Sequence, residues 1–368
     1  MLKSILILNW RCPKNPLSGG AEKVTLEHAK YWVKKGITVT WLSGNFSGGK
    51  SEETIEGVKI IRYGNPISIY LLAPFIYWFK FYGNFNLVID EIHGIPFLSP
   101  LWAWKSKRLA YIHEVAQEIW DEMLPFPINI LGKSYEKIYF FFYKNTFFLT
   151  GSNSTKSDLI RHGINEKNIT VIPHGLFLKP VSTIPKKEKN LTLLYVSRLV
   201  KMKGIEDTIK IFSEVIKKVP NVKLWIVGKG EGGYVTKLQD LIKKLGIKNS
   251  VIFFGYVSEK KKIELYQKSH FLLHTSVREG FGLVVIEANS QGTPVLAYDS
   301  PGLKDIVKNG INGYLFEKES WDKTAKSCVF LYDKPLYQFL VKSSINESKK
   351  YNWENITKQS FTYINSIK

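Results

Sequence analysis

Short apolar runs alternate along the whole chain with longer stretches in which apolar positions return at helical spacing. The run Ile-Leu-Ile-Leu within residues 4–8 reads as a strand buried on both faces. The stripe Val24, Leu26, Ala29, Trp32 and Val33 that follows reads as an amphipathic helix. The same alternation predicts strands at 38–42, 58–63, 87–91, 109–113, 147–150 and 168–172, with helices at 69–82, 133–143 and 153–161. Pro173-His174-Gly175 and the Lys-, Pro- and Ser-rich stretch 178–190 then interrupt the pattern and read as a connection. A second series resumes with strands at 193–196, 222–227, 251–254, 271–273 and 295–297 and ends in helices at 320–332, 335–349 and 353–367. Strand and helix in strict turn predict parallel, doubly wound sheets, and the interruption predicts two of them.

The candidate chemistry lies in the turns that lead from strands into helices. Gly280-Phe281-Gly282 opens a helix that starts at Leu283, and an N-terminus of this kind offers unpaired N–H groups and a positive dipole end to an anion or a polar sugar. Glu279 stands at the mouth of that turn. Glu287 lies among Leu283, Val284, Val285, Ile286 and Ala288, where a carboxylate needs a hydrogen-bonding partner, for which a pair of ribose hydroxyls is suited. Gly19-Gly20 opens the first helix in the same way. Arg198 and Lys203 fall in the first loop of the second series, where a planar donor and a mobile point charge suit a diphosphate.

Gly228-Lys229-Gly230-Glu231-Gly232-Gly233 satisfies G-x-G-x-x-G between a strand and a helix. A dinucleotide site also needs an acid near the end of the next strand, and here Gly255-Tyr256-Val257 follows instead, which argues against a nicotinamide oxidoreductase. His93 and His113 each close a predicted strand, a position from which a side chain reaches the ligand-binding edge of such a sheet.

Composition narrows the setting. A chain of 368 residues with 44% hydrophobic residues suits two domains, each with a real core. Cys12 and Cys328 fall in different domains, which excludes a disulfide framework and fits a reducing, cytoplasmic compartment. The N-terminal apolar run is shorter than a secretory signal, and the longest uncharged apolar stretch, 63–79, falls short of the about 20 residues that a spanning helix needs. The 52 Lys plus Arg against 32 Asp plus Glu, a formal charge of +20, favour anionic partners.

Glu279, seven residues and Glu287, set in Arg-Glu-Gly-Phe-Gly-Leu and followed by Gly-Thr-Pro-Val, resemble the E-x7-E element of retaining glycosyltransferases of family 4, which have the GT-B fold. The resemblance covers nearly the whole chain and is sharpest from 191 to 315. It implies two Rossmann-like domains facing across a cleft: residues 1–174 with a C-terminal helix 351–368 crossing back, and residues 175–350. It further implies a nucleotide-diphosphate sugar donor held by Arg198, Lys203, Gly228, Glu279, Gly280, Phe281, Gly282, Leu283 and Glu287, with Gly19 and Gly20 completing the sugar pocket. His113, Glu279, Arg198 and Lys203 take the catalytic roles. His113 rather than His93 is chosen because Tyr111-Ile112-His113-Glu114 resembles the family's histidine motif. No Asp-x-Asp element is present, so no metal and no cofactor is expected, and the acceptor is a glycan or a lipid-linked saccharide. The chain departs from the family at His174-Gly175-Leu176-Phe177, where Asn-Gly-Val-Asp is usual, at Ser197 in place of Gly, and at Asp305 in place of Glu.

Two rivals use the same residues differently. A glycosidase also places two carboxylates at an anomeric carbon but has no use for Arg198 and Lys203. A non-catalytic basic protein binding nucleic acid or a membrane surface would explain the charge. The cations are dispersed and no recognition motif is present, so nucleic acid is not an expected partner. Aromatic residues interleaved with Lys in 70–82 and 133–144 suit peripheral docking on an anionic membrane face, against the simpler reading that the rings pack on the sheet.

Overall fold

The computed structural model describes residues 2–332 and 334–367, which form two compact units. The first comprises Met1–Gln117, Phe126–Gly175 and Asn352–Lys368, and the second Glu118–Pro125 and Leu176–Tyr351. The sequence reading assigned residues 118–125 to the first domain. In the structure this segment packs within the second unit, where Glu118 and Glu122 pair with Arg278 and Lys201.

The first unit is built on a sheet of eight strands: β1 (Ser4–Leu8), β2 (Thr38–Ser43), β3 (Glu52–Ile55), β4 (Val58–Arg62), β5 (Leu87–Ile92), β6 (Lys107–Ile112), β7 (Phe147–Thr150) and β8 (Ile169–Val171). Their order is β3-β4-β2-β1-β5-β6-β7-β8. All pairs are parallel except β3 with β4. β3 is absent from the sequence expectation, because Glu-Glu-Thr-Ile carries no apolar run. A charged edge strand needs none, since its outer side faces water.

Parallel register fixes which residues share a face. Leu6, Val88 and Arg108 align, as do Leu8, Asp90, Ala110 and Phe148. That face is covered by the helices Ile69–Ile76 and Ile128–Phe142. The first continues into a π-helical turn, Tyr77–Phe81, where a plain helix to 82 was expected, and the second starts five residues before the predicted 133. The opposite face carries Ile5, Ile7, Glu91 and Tyr111. The helices Gly20–Lys34 and Trp353–Ser366 pack together on it, with His28 Nδ1 2.9 Å and Trp32 Nε1 3.2 Å from Ser360 Oγ. Apolar side chains buried on both faces are what the unbroken runs in β1 and β5 encode.

The second unit holds a six-stranded parallel sheet of β9 (Thr192–Val196), β10 (Lys223–Val227), β11 (Val251–Gly255), β12 (Phe271–His274), β13 (Val295–Tyr298) and β14 (Gly313–Phe316), in the order β11-β10-β9-β12-β13-β14. Leu193, Tyr195, Leu224, Ile226 and Leu273 pack into one core, and Leu194, Trp225, Leu272 and Val295 into the other.

Two glycines bring loops together at the carboxyl end of this sheet. Gly228 has φ +146°, and a Cβ there would lie 1.7 Å from the Ser197 carbonyl oxygen. Gly302 has φ +81°, and its Cβ would lie 2.0 Å from the carbonyl oxygen of Glu279. Both positions forbid a side chain on conformational and steric grounds together. Gly302→Ala is therefore expected to cost on the order of 1–3 kcal/mol, seen as a melting temperature lower by roughly 2–10 °C. An unchanged melting temperature would show that the loop can move aside.

Candidate active site

The loops after β9 and β12 bring Lys203 and Glu279 into direct contact. Lys203 closes the short turn Lys201–Lys203 and is buried, with its Nζ 2.7 Å from Glu279 Oε1. Ser276 Oγ donates to the same oxygen at 2.7 Å, and His274 Nε2 lies 3.3 Å from it. Burial alone would push the Glu279 carboxyl up. Lys203 and His274 outweigh it and hold the group well below the usual carboxylate range. The backbone of Glu279 is also fixed, its N–H donating to the Pro301 carbonyl at 3.0 Å.

Arg198 behaves differently. Its side chain is exposed and forms no ion pair among the described residues. Its loop is held from behind by the glycine-rich turn: Ser197 N–H donates to the Val227 carbonyl at 3.1 Å, and Leu199 N–H to that of Lys229 at 2.9 Å. Gly228 thus lies against the residue before Arg198, and the turn serves to place the arginine loop.

The helix Leu283–Ser290 starts at Gly282, whose φ of +89° suits glycine. Phe281 is buried, its ring 5.7 Å from that of Tyr351, so its side chain holds the turn in place. Glu287 was expected to find its partners in a ligand. The structure supplies two from the protein: Tyr266 O–H donates to Oε2 at 3.1 Å, and Lys262 Nζ lies 3.0 Å from the same oxygen. Burial works to lower the Lys262 ammonium, but Glu287 and Glu259 together more than offset this and leave it raised.

In the first unit, Gly19 and Gly20 begin the helix as expected, and Gly19 N–H donates to Glu22 Oε2 at 2.6 Å. The fully buried Glu22 also pairs with Arg11 at 2.8 Å. His113 follows β6 and keeps close to a second histidine, its Nδ1 3.3 Å from His174 Nε2. Its own Nε2 is buried and has no hydrogen-bond partner among the described residues. Burial foremost, then His174, His93 and His28, hold the His113 imidazole well below its usual range, so it is neutral at pH 7. Burial also lowers His174, to about 3. The departure from Asn at 174 therefore supplies an imidazole that orients the ring of His113.

His93 was set aside in the sequence reading, yet its ring centroid lies 5.6 Å from that of His113. Ligand atoms of Glu91, His93 and His113 lie within 4.8 Å of one another, a donor set with the chemistry to hold a cation. Both Glu91 oxygens are already engaged, by the Asn9 amide and the Thr25 hydroxyl. Sequence reasoning also missed His274, Ser276, Lys262 and Tyr266. The clearest available signal was a histidine ending β12 five residues before Glu279. Arg278, buried and paired to Glu118 at 2.6 and 2.9 Å, has a partner 160 residues away that no local pattern reveals.

Two doubly wound units, each with loops gathered at the carboxyl ends of its strands, have the architecture of the GT-B fold. The fold is that of sucrose-phosphate synthase from Thermosynechococcus elongatus, with a TM-score of 0.80 over 99% of this chain and 98% of that one at 18% identity. HepE of Anabaena, solved with UDP-glucose, gives 0.76 over 100% of both chains at 19% identity. The model for Glycosyltransferase Family 4 matches residues 18–178 and that for Glycosyl transferases group 1 matches residues 181–344, and the chain belongs to this family of glycosyltransferases. Poly(glycerol-phosphate) alpha-glucosyltransferase of Bacillus subtilis is 33% identical over 162 residues, 44% of this chain and 24% of that protein. The chain spans from 24% to 54% of the length of the first curated relatives that it matches.

A depressed carboxyl stabilises the fold above the usual carboxylate range, and its contribution fades as pH falls through the depressed value. The stability difference between wild type and Glu279→Gln should therefore be constant from neutral pH down to about 4.3, the ordinary Glu value, and shrink below it. Urea midpoints at pH 7, 5 and 3 measure this; a difference that does not change at the acid end would show that Glu279 is not held by Lys203.

Proposed function

We propose that the chain transfers a glycosyl unit from a nucleotide-diphosphate sugar to a glycan or lipid-linked saccharide acceptor, with retention of anomeric configuration and without a metal ion. The observation that carries this reading is the Lys203–Glu279 pair, held by Ser276 and His274 in the loops beside the helix N-terminus at Gly282. The exposed Arg198 guanidinium and the positive helix end at Gly282, with Lys203 fixed against Glu279 in the adjoining loops, form an electrostatic cradle for a diphosphate. That charge can stabilise the departing nucleotide without a divalent cation. Glu279, kept ionised by Lys203, is suited to accept hydrogen bonds from donor sugar hydroxyls. Glu287 suits the ribose, where Lys262 and Tyr266 hold its carboxylate in place.

In the reaction, the bond from the anomeric carbon to the distal phosphate oxygen breaks and a bond from the acceptor oxygen to that carbon forms. The acceptor proton passes to the leaving phosphate. Neutral His113, fixed from behind by His174, provides a hydrogen bond to a sugar hydroxyl rather than a charge. The solved complex of HepE with UDP-glucose supports a nucleotide-sugar donor, and a lipid-linked acceptor would put the protein at the periphery of a membrane face.

A panel of UDP-, GDP-, ADP- and dTDP-sugars assayed in EDTA tests the proposal. One donor should turn over undiminished by EDTA, with product of the donor's anomeric configuration by NMR. Arg198→Ala and Glu279→Gln should each lower turnover by about 10²–10³-fold. Loss of activity in EDTA would refute metal independence and turn attention to Glu91, His93 and His113.

A further inference from the structure

The two helices on the Leu6–Phe148 face of the first unit each bury one side and expose an apolar stripe on the other. In the first, Ile69, Ala73, Ile76 and Tyr77 are buried against the sheet. On its outer side Ile67, Leu71, Phe75 and Phe79 recur every four residues, with Leu71 75% and Phe79 85% exposed. In the second, Tyr139 and Phe140 are buried, whereas Leu131, Ile138 and Phe141 return at helical spacing, 66%, 61% and 62% exposed. The water-facing side of a surface helix is ordinarily polar, and here it is the reverse on two neighbours. An aromatic group lies beside the first stripe: Trp78 stacks on Tyr82 with centroids 4.8 Å apart and meets the exposed Trp104 edge-on at 5.5 Å.

The charges decide what covers this surface. Residues 63–83 contain no Asp or Glu, and Lys80 is exposed with its Nζ 4.7 Å above the Tyr63 ring. Residues 126–145 contain one acid, Glu136, which is buried and accepts the N–H groups of Ala116 and Gln117. Lys137 and Lys144 remain exposed, Lys144 with its Nζ 4.7 Å above the Phe141 ring. The exposed charges of residues 63–83 and 126–145 are lysine ammonium groups, those of Lys80, Lys137 and Lys144. A second copy of the chain would bring the same cations to the same face and be repelled.

We infer that this two-helix face docks on an anionic lipid bilayer, with the aliphatic and Phe tips in the acyl boundary, the Trp and Tyr rings at the interface and the lysines among the headgroups. Apolar insertion and attraction to anionic headgroups act together in such docking, and interfacial Trp and Tyr are the rings that membranes favour at that depth. No helix among the described residues is long and apolar enough to cross a membrane, so attachment by this face is of the surface kind. The inference extends the lipid-linked acceptor reading by naming the surface that would meet the lipid.

Sedimentation of the 368-residue chain with vesicles tests it without any donor, so its outcome is separate from that of the sugar panel. Vesicles of equal parts phosphatidylcholine and phosphatidylglycerol should carry the protein down, and vesicles of phosphatidylcholine alone should bind at least about tenfold more weakly. The Phe79→Ser/Phe141→Ser double variant should lose at least about tenfold in binding to the mixed vesicles at an unchanged melting temperature. Lys80→Gln/Lys137→Gln/Lys144→Gln should weaken binding at low salt and have less effect as salt screens the charge. Wild type that stays in the supernatant, or a double variant that binds as wild type does, would overturn the proposal. A dimer in sedimentation velocity that the double variant converts to monomer, with no vesicle binding, would assign the face to a second copy instead.

Discussion

A carboxylate buried at the end of a parallel sheet must be neutralised, protonated or paired, and in the second unit it is paired. Glu279 and Lys203 come from loops 76 residues apart, and neither is tolerable in its position without the other. Much around them follows from that contact. Gly302 has no side chain because the Glu279 carbonyl fills the space, and Ser276 donates to the same carboxylate oxygen that the lysine reaches. The loop after β9 turns inward at Lys203 and leaves Arg198 outside. One buried ion pair thus sorts the cations of a lysine-rich protein into one that is fixed and one that is free to meet an incoming phosphate.

The end of β5 shows how a strand serves two environments with adjacent residues. Asp90 and Glu91 point to opposite faces, and burial pushes both carboxyls up. Asp90 receives the N–H groups of Phe97 and Ser99 and the Tyr143 hydroxyl, which ties the loop after β5 to the helix Ile128–Phe142. Glu91 receives Asn9 and Thr25 on the side where His93 and His113 gather. The same strand end therefore anchors the apolar helix layer on one side and a polar cluster on the other.

What could be read in advance depended on range. Apart from β3 and β14 (Gly313–Phe316), the strands of both sheets were legible because double-sided burial writes an unbroken apolar run, and E-x7-E was legible because its residues lie on one turn and one helix. β3 was not, since a charged edge strand leaves no apolar trace. The partners of the functional groups were also hidden: Lys262 and Tyr266 sit on a different helix from Glu287, and Glu118 reaches Arg278 from far along the chain. His174 was visible only as a departure from a motif, and its role emerged when His113 was found against it.

The first unit is made from chain segments at both ends of the sequence. Leu2 N–H donates to Asn365 Oδ1 at 3.0 Å, and Ser360 takes up His28 and Trp32, which are otherwise buried polar groups on an open sheet face. During synthesis the helix Gly20–Lys34 lacks its packing partner on this face until residues 353–366 have left the ribosome, by which time every strand of the second unit has emerged. The second unit can thus fold first, and the first waits for its closing helix.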